Sequence, residues 1–170
     1  ASTNPLSFGS TENLSVTFST SAQNKAFTGA SNGAGNVTYS ITSQKNSSNT
    51  AVTICSIPTN TTASLQIGAN AGAGTYTIVV QASAEGDDNY NSGTKSKTIT
   101  LTIGKPNNPM TLTETQSMSI SFSESNQNTS FTGASSAQGS VTYSITSQKN
   151  SSNSTVTNFS IPTNTTASTS

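Results

Sequence analysis

Val37 to Asn49 reads VTYSITSQKNSSN, and the same thirteen residues return at Val141 to Asn153. Both copies lead to SIPTNTTAS, at Ser56 to Ser64 and at Ser160 to Ser168, so the offset is 104 residues throughout. The register holds further out. Asn4-Pro5 meets Asn108-Pro109, and Phe27 to Ser31 meets Phe131 to Ser135; 39 of the 66 overlapping positions are identical. A fixed period sets the architecture that every other reading must respect. It predicts two modules, residues 1–104 and 105–170, because one period is a common domain size.

Inside the period the pattern is that of strands. Leu14, Val16 and Phe18 alternate with polar residues, and Met118, Ile120 and Phe122 do the same one period later. Period two marks a strand with one buried face. Val37, Tyr39 and Ile41 alternate likewise, and Ser43 to Asn49 reads as a polar loop. Short strands are expected at Cys55–Ile57 and Leu65–Ile67. Two stronger ones follow. Gly74 to Ala82 puts Tyr76, Ile78, Val80 and Ala82 on one face, and Thr98 to Ile103 puts Ile99, Leu101 and Ile103 inward with threonines outward. Glu85 to Asn89 is a turn, and Gly104-Lys105-Pro106-Asn107-Asn108-Pro109 is the boundary, where proline removes backbone donors. No window has helical periodicity. About seven short strands with turns every 8–12 residues predict an all-β chain of antiparallel β-sandwich modules.

The run Ala73 to Val80, then Asn89-Tyr90-Asn91, then Lys97 to Ile103, resembles the end of bacterial immunoglobulin-like and cadherin-like repeats of large surface proteins. The resemblance implies tandem Ig-like sandwiches in an extracellular or cell-surface stalk, adhesin or filament. It also implies a corner tyrosine at Tyr76, with its ring in the core and its hydroxyl bonded to backbone a few residues upstream. Some modules of this kind carry a Lys–Asn isopeptide cross-link. The only lysines paired across the period, Lys45 and Lys149, lie in the polar loop, which disfavours one here. The partners implied are neighbouring Ig-like modules of the same or an identical chain, and glycans.

Composition narrows the function. There is no His and no Arg, net charge is zero, and charged residues are 7% of the chain. A nucleic-acid partner needs a basic face, so none is expected. No apolar run approaches the roughly 20 residues of a membrane-spanning helix. Catalytic residues, metal ligands and cofactors are expected to be none. Glu85, Asp87 and Asp88 form the only acidic cluster and read as a solvated turn. A serine nucleophile would lack an activating base. Cys55 is the lone cysteine and corresponds to Phe159, so it reads as a buried apolar filler in which Phe should be tolerated better than Ser. Of the Asn-X-Ser/Thr sequons, Asn46, Asn60, Asn150 and Asn164 recur in both periods in segments read as loops; these are the candidate N-glycosylation sites.

The chain is therefore expected to be a non-enzymatic structural repeat. The alternatives are a filament subunit that polymerises by strand exchange, or a carbohydrate- or ice-binding sandwich using the outward Thr98, Thr100 and Thr102. The second period reaches Ser170, level with Gln66, and so lacks counterparts of the two strongest strands. The native protein is expected to continue with residues resembling GTYTIVVQASA and KTITLTI, or else to have those strands supplied by β-augmentation.

Overall fold

A computed structural model of residues 1–170 shows an all-β chain that divides into two compact units, Ala1–Pro106 and Asn107–Ser170. In unit 1 the strands are β1 (Thr11–Thr17), β2 (Gln23–Ala26), β3 (Val37–Asn46), β4 (Cys55–Ser56), β5 (Ser64–Ile67), β6 (Gly74–Ala84) and β7 (Gly93–Gly104). They form a four-stranded sheet in the order β1-β7-β6-β3 and a three-stranded sheet in the order β2-β5-β4. Both sheets contribute to one core, a β-sandwich-like arrangement.

The alternating pattern decides which side chains enter that core. On β6, Ile78, Val80, Ala82 and Ala84 are buried; on β7, Ile99, Leu101 and Ile103 are buried. The ladder sets Ile78 opposite Ile99 and Tyr76 opposite Leu101. From the second sheet come Leu65 and Ile67. Each such side chain taken out of water is worth about 1.5–3 kcal/mol. Phe8, Phe27 and Tyr39 close one end, with Phe27 edge-on to Tyr39 at 5.4 Å between ring centroids.

Three features depart from the sequence reading. The sheet is not wholly antiparallel, because β1 runs parallel to β7, from Thr11 opposite Thr98 to Thr17 opposite Gly104. The polar stretch after Ser43 is not all loop, because β3 continues to Asn46 after a bulge between Ile41 and Ser43. The eleven residues of β6 offer Ile78, Thr77 and Tyr76 as ladder partners for Gln44, Lys45 and Asn46, and that pairing outweighs local polarity. Finally, β2 carries no apolar alternation and exists by pairing with β5.

Unit 2 repeats the local contacts of unit 1 without its central strands. Phe131 meets Tyr143 edge-on at 5.3 Å. The Ala134 amide donates to the Tyr143 hydroxyl at 3.0 Å, as Ala30 does to Tyr39 at 2.9 Å. The ladders of unit 2 are limited to β8 (Thr129–Ser130) paired with β9 (Ser168–Thr169) and isolated bridges such as Thr111 to Ser135. Met118 to Phe122, expected as a strand, is not one. No strand lies beside it to accept its backbone bonds, and Phe122 is 93% exposed.

Tyr76 lies at the start of β6. Its hydroxyl donates to the Gly72 carbonyl at 2.7 Å, four residues upstream, while its ring is half-buried against the core rather than enclosed by it. Tyr76→Phe should lower the unfolding free energy of unit 1 by about 0.5–1 kcal/mol, the size of one hydrogen bond, without changing the denaturant slope. Denaturant melts of the two proteins check this, and a neutral substitution would mean that water replaces the bond fully.

Candidate functional site

The period-two pattern of β7 extends one step before its isoleucines, and the residue there is Lys97. It stands opposite Val80 on the inward face and is 2% exposed. Its ammonium donates to Glu12 Oε2 at 2.8 Å and to the Thr28 carbonyl at 2.6 Å, and sits 4.6 Å from the centre of the Phe8 ring. Glu12 comes from the inward face of β1, opposite Ile99. Its carboxylate also accepts from the Thr28 amide at 3.0 Å and from the Thr28 hydroxyl at 3.2 Å. One charged cluster thus ties β1 and β7 to the chain that follows β2.

Burial alone would push the Glu12 carboxyl up. The Lys97 hydrogen bond, the Thr28 amide, the Lys97 charge and the Thr28 hydroxyl together outweigh it and hold Glu12 below its ordinary value of 4.5. The ammonium therefore has a carboxylate, a carbonyl and an aromatic face as acceptors. Sequence reasoning missed this site. The available signal was positional, since Lys97 is two residues before Ile99 and so belongs to the same face.

A second polar link crosses the sheets at Gln44. Its Oε1 accepts from the amides of Ile54 and Cys55, each at 3.0 Å, and its Nε2 donates to the Cys55 carbonyl at 2.8 Å. Cys55 is buried, as its position suggested, and burial pushes its thiol up to about 11. The thiol lies 3.3 Å from Gln44 Oε1. That contact corrects the ranking of substitutes. A serine hydroxyl would find an acceptor ready, whereas Phe must find volume in a closed core. Phe159, the counterpart, is 46% exposed and is no guide to what unit 1 can enclose.

The other singled-out residues are dispersed. Asp87 accepts from the Asn89 and Tyr90 amides, while Glu85 accepts from Asn36, so the acidic turn caps its own backbone. No three His, Cys, Asp or Glu residues are gathered in space. No helix is long and apolar enough to cross a membrane. Among the sequon residues, Asn60, Asn150 and Asn164 are exposed. Asn46 is the last residue of β3 rather than a loop residue; its Oδ1 accepts from the Ser48 and Thr50 amides at 3.0 Å each, and its Asn150 counterpart binds Ser152 and Ser154 alike. Thr98, Thr100 and Thr102 stand in rows with Thr11, Asn13 and Ser15 of β1 on the face away from the core.

In unit 2 the equivalent ground is open. Met118, Ile120, Ile145 and Phe159 line a cleft of about 260 Å³. Gln116 occupies the place of Glu12, its Oε1 accepting from the Thr132 amide at 2.7 Å, and Leu112 occupies that of Phe8. No family model matches the chain, and no curated protein matches it.

Glu12→Gln leaves the buried Lys97 without a counter-charge and should cost unit 1 about 3–5 kcal/mol, while replacing both partners together, Glu12→Gln with Lys97→Met, should be near neutral or stabilising. The acid response has a definite sign. Glu12 ionises at a lower pH when folded than when unfolded. Its contribution is therefore complete above its ordinary value of 4.5 and is lost as pH falls through the lowered folded value. Melting curves between pH 2 and 7 should show that loss in the wild type and a flatter profile in Lys97→Met. Equal profiles would remove the pair from the acid transition.

Cys55 in the native chain should react slowly with a thiol reagent and rapidly once unfolded. Cys55→Ser should cost less than Cys55→Phe, whose overpacking is of order 1–3 kcal/mol. The reverse order in thermal melts would show that the site has room.

Proposed function

We propose that the chain is a non-enzymatic structural repeat of an extracellular or cell-surface stalk, adhesin or filament, built from tandem Ig-like modules. The observation that carries this reading is the parallel pair of β1 and β7. These are the first and last strands of unit 1, joined over seven residue pairs. Tension applied through the two ends of the unit pulls the start of β1 and the end of β7 in opposite directions. The ladder is then loaded in shear, with its hydrogen bonds sharing the force. That is a property suited to a module in series.

Three further observations support the reading. The period of 104 residues is kept at 39 of 66 positions, and contacts such as those of Asn46 and Asn150 recur with it. The Tyr76 hydroxyl bond to Gly72 is the corner that such sandwiches use. The exposed sequons at Asn60, Asn150 and Asn164, with Asn46 at a strand end, are where glycans would attach in a secreted setting. The partners on this reading are adjacent modules. A filament subunit that polymerises by strand exchange would differ in what covers unit 2.

Single-molecule pulling tests the proposal, since forced unfolding is governed by the unfolding barrier in the pulled direction. With handles at Ala1 and Pro106 the β1–β7 pair is sheared. With handles at Ala1 and Ser92, both at the same end of the pair, it is unzipped one bond at a time. The sheared geometry should need clearly the higher force. Equal forces would remove the mechanical argument for a stalk.

A further inference from the structure

One loop of unit 1 holds the only Asn-Gly pair in the chain, Asn32-Gly33. The fold favours both letters. Asn32 has φ 56°, in the left-handed region that asparagine tolerates better than most side chains. At Gly33 a Cβ would stand 2.7 Å from Val37 Cγ2 and 3.0 Å from Leu6 Cδ1, so a side chain there would have to push its neighbours aside. In unit 2 the same places hold Ser136 and Ala137, and Ser136 has the same φ of 56°. The backbone shape recurs across the period, and the carboxamide does not.

The pair is chemically reactive. Joining an asparagine Cγ to the amide nitrogen of the next residue closes a five-membered ring. A following side chain obstructs that approach, and glycine has none. Asn32 is exposed, and the Gly33 amide donates to no carbonyl of the chain, so no hydrogen bond has to break first. Other asparagines are worse placed. Asn46 and Asn150 each hold two backbone amides on their Oδ1. Asn4 uses both ends of its carboxamide inside the fold. Asn13, Asn36, Asn89 and Asn158 precede Leu14, Val37, Tyr90 and Phe159, whose bulk stands in the way.

The loop is pinned on both sides of the pair. Ser31 exchanges two backbone bonds with Ser7, at 2.8 and 2.9 Å. The Ala34 amide donates to Asn4 Oδ1 at 3.1 Å. The Ala34 carbonyl accepts from Asn4 Nδ2 at 3.2 Å and from the Gly86 amide at 2.9 Å. Asn4 and Ser7 belong to the segment that carries Leu6 and Phe8 into the core. Only Asn32 and Gly33 separate Ser31 from Ala34, so the backbone between the two anchors has little slack.

We propose that Asn32-Gly33 is a self-modification site, where unit 1 converts its own asparagine to aspartate and isoaspartate and thereby loosens the Asn4–Phe8 segment. The Gly33 nitrogen gives its proton to solvent hydroxide and attacks Asn32 Cγ. The N–Cγ bond forms, the Cγ–Nδ2 bond breaks, and Nδ2 leaves as ammonia with a proton from water. A second water then opens the ring. Cleavage of the N–Cγ bond leaves aspartate. Cleavage between the Gly33 nitrogen and the Asn32 backbone carbonyl carbon leaves isoaspartate, with the chain now running through Cγ. Either product adds one negative charge to a chain whose net charge is zero. Isoaspartate also adds one carbon to the backbone between Ser31 and Ala34, and the two anchors then cannot both keep their register. None of this depends on unit 1 bearing load.

The test ages the full 170-residue chain at neutral and at mildly alkaline pH and follows its tryptic peptides by mass. The peptide Ala26–Lys45 should change first, at Asn32, by the mass that separates OH from NH2, and faster in proportion to hydroxide. An isoaspartyl methyltransferase used as a reagent should label that peptide. Aged chains, separated by their added charge, should contain an isoaspartyl fraction whose unit 1 melts about 4–8 °C lower, the shift that losing a bond or two makes in a domain of this size. Asn32→Asp adds the charge without the extra carbon and should melt like the fresh chain. Asn32→Ser, the letter of unit 2, should show neither the conversion at this site nor the fall in melting. Earlier conversion at another asparagine, or none at Asn32, would overturn the site. Aspartate as the sole product, or an isoaspartyl chain that melts like the fresh one, would overturn the loosening.

Discussion

A strand face of alternating isoleucine and valine is stable only when a second layer covers it and a strand lies on each side. In unit 1 that condition is met by β6 and β7. They are the two central strands of the larger sheet, and their inward residues, Ile78, Val80, Ile99 and Leu101, are fully enclosed. β1 and β3 do not bond to each other; each is held by one member of the pair. Remove the pair and the larger sheet has no ladder left. The smaller sheet would lose the surface against which Leu65 and Ile67 are packed.

Polar chemistry in this unit serves the same assembly. Gln44 spends both ends of its carboxamide on the backbone of Ile54 and Cys55, joining β3 to the opposite sheet. Lys97 and Glu12 join β7 and β1 to Thr28. Every buried side-chain polar atom has a partner. A buried ion pair adds little net stability against an apolar substitute of the same volume. It does penalise mismatch strongly, because either partner alone is a stranded charge. Such a pair is better suited to selecting which strand occupies a place than to strengthening the place once filled.

How much of this was legible in the sequence depends on the range of the interaction. The inward faces of β6 and β7 were legible from period two, and so were the burial of Cys55 and the backbone bond of the Tyr76 hydroxyl. Each follows from local pattern or from a resemblance carried by local residues. The parallel pairing of β1 with β7 was not legible, since it joins residues more than 80 positions apart. Nor was β2, whose residues QNKA have no strand pattern of their own. Lys97 was hidden for a different reason. Lysine is almost never fully buried unless paired, and its partner Glu12 lies 85 residues away. Only the register of β7, taken one step further, placed it inside.

The two copies of VTYSITSQKN make the same point without any substitution. As Val37–Asn46 the ten residues are β3, paired along β6 from Ala84 to Tyr76. As Val141–Asn150 the same letters form no strand. The tyrosine in each still reaches the same aromatic partner, and the asparagine in each still caps the same turn. Those contacts lie within 12 residues of sequence or less, and the chain forms them from its own letters in both places. Strand character is different in kind. The backbone of an extended segment has its donors and acceptors facing sideways, and it becomes a strand when another segment meets them. Propensity in these ten residues is constant, so what differs for them is the ladder partner that β6 supplies in unit 1. A face with this composition is thus a half-interface, whose structure is decided by whatever strand is laid beside it.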